Sequence, residues 1–143
     1  MSDTLAVARY LEDVPCVKRV LYPELESSPY HELVKTQMNG LGTGILSFKL
    51  ADDVNGMSSF EAGKKLLNAL QLSHIAVSLG DLASLIQHPA SMTHHNVSPE
   101  VRAEMGIRRS YPLLRRPRGR RRPDCWLWAG VRPAVKKPSW CGA

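Results

Sequence analysis

Residues 58–80, SSFEAGKKLLNALQLSHIAVSLG, change hydrophobic period partway along, and that change sets the fold class. Ser58 stands three residues before Glu61, the spacing at which each side chain can satisfy a free backbone N–H at a helix start. The spacing predicts a helix through Gln71, with Phe60, Leu67 and Leu70 on one apolar stripe. Ile75-Ala76-Val77-Ser78-Leu79-Gly80 then reads as a buried strand. A helix with one apolar face followed by a short apolar strand must bury both against each other or against further layers.

Working outward, the same alternation recurs. Leu5, Ala8 and Leu11 fall at helical spacing behind Ser2 or Asp3 as a cap, and Pro15 stops that helix. Val17-Lys18-Arg19-Val20-Leu21-Tyr22 is β-branched and aromatic, is closed by Pro23, and reads as a strand. Residues 30–38 open after Pro29 and close at Asn39-Gly40 as a second helix. Ile45 to Leu50 partly alternates as a strand, and Asp52-Asp53-Val54-Asn55-Gly56 is a polar turn. Ser98-Pro99-Glu100 starts a last helix, which Gly106 ends. The order predicts a layered α/β or α+β domain with helices on a small sheet.

Beyond Ile107 this pattern stops. Residues 1–107 hold eight Lys/Arg against twelve Asp/Glu, net −4, whereas residues 108–143 hold eleven against one, net +10. The run Arg115-Arg116-Pro117-Arg118-Gly119-Arg120-Arg121-Arg122-Pro123 has no hydrophobic period and repels itself, so a disordered tail is expected over 108–143, with folded structure ending near Ile107. At 143 residues the chain has room for one domain with its own core. No apolar run reaches the ~20 residues of a membrane span, and the start shows no signal-peptide pattern, so a soluble, cytoplasmic protein with no membrane partner is expected. Cys16, Cys125 and Cys141 show no CxxC spacing and read as free thiols.

The residues alone point to little chemistry. Gly40-Leu41-Gly42-Thr43-Gly44 lacks the spacing and the lysine of a phosphate loop and reads as a turn. His88, His94 and His95 come without an HExxH motif or paired carboxylates, so no metal site is expected. Ser78, at the end of an apolar strand, could face a ligand carboxylate or be a buried structural serine.

The segments 68–72 (NALQL), 76–81 (AVSLGD) and 87–94 (QHPASMTH), in this order, closely resemble the Cys/Met-metabolism family of pyridoxal-phosphate enzymes. VKRVLYP at 17–23, His31-Glu32-Leu33 with Gln37-Met38, and Pro99-Glu100 with Arg102 and Gly106-Ile107 follow the family's order, so the resemblance spans 4–107. NALQL followed by AVSLGD is most similar to the methionine γ-lyase branch. The resemblance implies the C-terminal, substrate-side domain of a fold-type-I enzyme, with helices on a small, mainly antiparallel sheet. It further implies carbon–sulfur lyase or transferase chemistry on methionine, cystathionine or homoserine esters, with pyridoxal phosphate as cofactor and a homotetrameric parent. Ser78 would lie by the substrate carboxylate, with Val77 beside it as a backbone contact.

Two departures accompany the resemblance. The family's cofactor lysine belongs to a larger domain, and none of Lys18, Lys35, Lys49, Lys64 or Lys65 matches its motif, so no catalytic or cofactor-binding residue is expected here and the chain alone should be inactive. After Gly106-Ile107 the family continues with a pattern like SDGLVRLSVGLED, whose arginine forks onto the substrate carboxylate. Here Arg108-Arg109-Ser110-Tyr111-Pro112 follows. Codons for Arg108 through Cys125 can be chosen so that reading one nucleotide later spells DGAIRFSVGLEDVDDLI, which makes the tail a frameshift product. The alternatives are a nucleic-acid-binding protein, since the arginine run could neutralise phosphates non-specifically, and a subunit that complements a separate cofactor domain.

Overall fold

In the computed structural model, residues 3–71, 73–78, 81–107 and 113–115 are described. Helix α1 (Asp3–Glu12) leads into strand β1 (Val17–Leu21), followed by α2 (His31–Gln37) and β2 (Ile45–Leu50). A short hairpin, β3 (Asp53–Val54) and β4 (Met57–Ser58), precedes α3 (Ser59–Ala69). Strands β5 (His74–Ile75) and β6 (Leu85–Gln87), helix α4 (Pro99–Glu104) and strand β7 (Leu113–Arg115) complete the order.

The main sheet has the order β1-β2-β7-β6-β5. All its pairs are antiparallel except β5 with β6, which run parallel. β2 alternates, so Leu46, Phe48 and Leu50 point inward. They meet Ala8 and Leu11 of α1, Val20 of β1, Ala62, Leu66 and Leu67 of α3, and Ile86 of β6 in one core. The hairpin turns through Asn55 (φ 53°) and Gly56 (φ 76°), the paired left-handed residues that a two-residue turn with the sheet's twist requires. Ser58 caps α3 by accepting from the Glu61 N–H at 3.3 Å, and Ser98 caps α4 by accepting from the Val101 N–H at 3.4 Å. Glu61 itself turns to Lys64, 3.5 Å away, so only the serine half of the expected reciprocal cap forms.

Three expectations need correction. Residues 75–80 do not form a buried strand: β5 ends at Ile75, both its residues are exposed, and Val77 is 56% exposed. Its place at the sheet edge, with β6 on one side only, accounts for this. The buried strand is instead β6, whose three residues are too few to show a period. Ordered backbone also continues past Ile107, because Leu113–Arg115 forms the central strand. Pairing with β2 on one side and β6 on the other accounts for this strand, although the tail as a whole is basic. Finally, Cys16 is buried and disulfide-bonded rather than a free thiol. The arginine run at 116–123 lies outside the described residues.

Candidate functional site

Ser78 and Val77 sit just beyond the end of β5. The His74 N–H donates to the Ser84 carbonyl at 2.9 Å and the Ala76 N–H to the Ile86 carbonyl at 3.2 Å, which ties this segment to β6. Past Ala76 the chain leaves the sheet, and Val77 and Ser78 are both exposed. On the return, Asp81 accepts from the Ala83 N–H at 2.9 Å through its Oδ1, a short turn that brings the chain back toward β6. A hydroxyl and nearby backbone groups at an exposed strand end can meet a small ligand, as the sequence suggests for Ser78.

Downstream of β6 the chain folds against α3. His88 is fully buried, its Nδ1 is 2.8 Å from Ser91 Oγ, and its ring lies 5.3 Å from that of Phe60 at a tilted angle. Gly63 makes room for it: a Cβ there would come within 3.0 Å of His88 Nε2. Phe60 thus belongs to the seat of His88 as much as to the helix stripe. His94 bonds Thr93 Oγ1 at 2.8 Å and His95 bonds the Met92 carbonyl at 2.8 Å, each through Nδ1. The three histidines have separate partners, and no group of three metal-ligating side chains occurs among the described residues.

A cavity of about 300 Å³ opens beside the end of β6, lined by Leu21, Ser47, Gln87, Pro89, Thr93, His94, Met105, Gly106 and Ile107. Gln87 Oε1 is buried there without a hydrogen-bond partner. Neither Val77 nor Ser78 lines this space.

The glycine-rich turn is tied to a residue that the sequence does not single out. Glu24 is buried, and its carboxylate accepts from the Gly42 N–H. Tyr22 Oη lies 2.8 Å from the same carboxylate and 2.9 Å from the Thr43 carbonyl. Any side chain at Gly42 would run into Glu24, so the glycine serves this close approach rather than a phosphate. A glutamate next to a proline carries no periodic signal of burial, which is why only the structure reveals it.

The lysines are engaged elsewhere. Lys18 and Lys49 both pair with Asp52, Lys35 with Glu32 at 2.8 Å and Lys64 with Glu61, while Lys65 is exposed. Lys18 first, then Lys49, holds the Asp52 carboxyl down at about 2. Pyridoxal phosphate, implied by the resemblance, needs a lysine for its imine and anchors for its phosphate and ring nitrogen. The described residues do not combine these in one place, so they do not fit the group.

The model of the Cys/Met metabolism PLP-dependent enzyme family matches residues 1–115. An L-methionine gamma-lyase of Porphyromonas gingivalis is 50% identical over 101 residues, covering 71% of this chain and 24% of the relative. A cystathionine beta-lyase of Coxiella burnetii is 42% identical over 106 residues, covering 74% and 26%. The crystal structure of a cystathione gamma lyase from Micromonospora echinospora superposes with a TM-score of 0.68 at 33% identity, over 82% of this chain and 29% of that one. The chain thus spans about a quarter of the relatives it matches. Its mixed sheet, the family match over most of its length and identities of this size together place the chain in the Cys/Met metabolism family of pyridoxal-phosphate-dependent enzymes.

Proposed function

We propose that this chain is the substrate-side, C-terminal domain of a pyridoxal-phosphate-dependent sulfur amino-acid enzyme of the methionine γ-lyase kind, inactive by itself. The observation that carries this reading is 50% identity to a methionine γ-lyase over a stretch that makes up only 24% of it. The domain covers 1–107 and takes in the strand Leu113–Arg115, and the altered ending begins after Ile107. In a complete enzyme, residues of another domain would hold pyridoxal phosphate, and the cofactor would supply an electron sink for carbon–sulfur chemistry. This chain contributes the other end of the substrate: the Ser78 hydroxyl donates to the amino-acid carboxylate, and the backbone at Val77 borders it. Both residues are exposed, as a surface closed by a second domain would leave them.

A charged partner for that carboxylate should sit beside Ser78, since a bidentate arginine is the strongest common choice. The frameshift reading places the family's arginine across the codons of Pro112 and Leu113, so the present sequence has lost it and binds substrate weakly. The test is thiol release from methionine in the presence of pyridoxal phosphate. The chain alone should give none, and sustained turnover by the pure chain would refute the reading.

A second reading keeps the same domain as a subunit that docks on a separately encoded cofactor domain. The exposed apolar side chains Leu33, Met38, Leu41, Val77 and Leu82 favour it. Co-expression with such a domain and co-purification would support it. The net +10 of residues 108–143 is the observation behind a nucleic-acid role, which requires affinity that falls steeply with added salt.

A further inference from the structure

The main sheet consists of two pairs, β1 with β2 and β6 with β5, and among the described residues β7 is the strand that joins them. Its register is complete on both sides: Leu113, Leu114 and Arg115 face Ser47, Leu46 and Ile45 on β2, and Gln87, Ile86 and Leu85 on β6. The two pairs differ in their other support. β1 and β2 lie on the core shared with α1 and α3, and β6 reaches that core through Ile86, whereas both residues of β5 are exposed and its sheet partner is β6. The Val77–Ser78 segment extends directly from β5, so its position is inherited through β6 and β7.

We propose that Leu113–Arg115 is the positioning element for the Val77–Ser78 segment: by bridging β2 and β6 it fixes the edge pair that presents Ser78. The bonds involved are main-chain bonds, and their pattern does not depend on which side chains follow one another. The ending that follows Ile107 thus retains a backbone role in the site, whatever side chains it has lost. The functional consequence rests on Ser78 being a substrate contact; the positional claim does not.

Amide hydrogen exchange on the full chain, without ligand, tests it. Proline in a central strand removes a ladder donor. Leu114→Pro should raise exchange at His74 and Ala76 at least tenfold while Ala8 and Leu66 stay protected, and Leu114→Val should restore the wild-type pattern. Unchanged exchange at His74 and Ala76 in Leu114→Pro overturns the proposal. If Leu114→Pro does not fold, the wild-type chain in rising urea decides. His74, Ala76 and Leu114 opening together and before Phe48 and Ala8 supports the link, and a single opening of all five contradicts it. Loss of substrate binding on Ser78→Ala in a complemented enzyme is a separate measurement, so failure of the Ser78 reading leaves this result intact.

Discussion

At the scale of single residues, a few buried polar groups are held by close-fitting neighbours. His88 fits between Phe60, Ser91 and Gly63, and a methyl group at residue 63 would press on its Nε2 at 3.0 Å. Gly63→Ala should therefore destabilise the chain by about 1–3 kcal/mol, the usual cost of overpacking, measurable as a lower urea midpoint. Asp52 gives a pH-dependent prediction. Its carboxyl is held at about 2 by Lys18 and then Lys49. Since the folded value lies below the ordinary 3.8, the contribution is present above the unfolded value and fades as pH falls from there through about 2. A carboxyl-detected NMR titration should show the low midpoint, and Lys18→Met should move it up toward the ordinary value. Nothing in the sequence pairs residues 18 and 52, because thirty-odd residues separate them and only the β1–β2 register brings them together.

At the scale of elements, Leu50 on β2 is fully buried in the shared core. Leu50→Ala should cost about 2–5 kcal/mol by thermal or urea unfolding, as deletion of a core leucine does. Removing a cap is milder, and Ser58→Ala should cost about 1 kcal/mol through the lost bond to the Glu61 N–H. These two cases also show what the sequence makes legible. The alternation of β2 and the serine–glutamate spacing at α3 are local patterns, and both elements start where they are expected, although α3 ends at Ala69 and not at Gln71 because Leu70 turns extended. The β5–β6 pair is not local in this sense. Val77 looks buried because it is apolar, but it follows an edge strand, and β6 is too short to show a period. The strand at Leu113–Arg115 is likewise hidden, since its reason for forming is the gap between β2 and β6, not the basic residues around it. Ser78 and Val77 as site residues come from the family resemblance; the geometry adds that they are exposed at a strand end.

At the scale of the whole molecule, the chain has a core of its own, a family membership over residues 1–115 and only about a quarter of its relatives' length. Apolar side chains such as Leu82, 91% exposed, and Leu41, 67% exposed, are explained if further protein covers them in a working enzyme. No helix among the described residues is long and apolar enough to cross a membrane. Thiol release from methionine by two hybrids of the Porphyromonas gingivalis relative tests whether this chain is the substrate-side domain of such an enzyme. In both, residues 4–107 of this chain replace the matching segment; one keeps the relative's own ending, and the other carries residues 108–143. Turnover is expected with the relative's ending and at least a hundredfold less with residues 108–143, because the first provides both Ser78 and the arginine. A folded first hybrid without activity, or equal activity of the two, would contradict it.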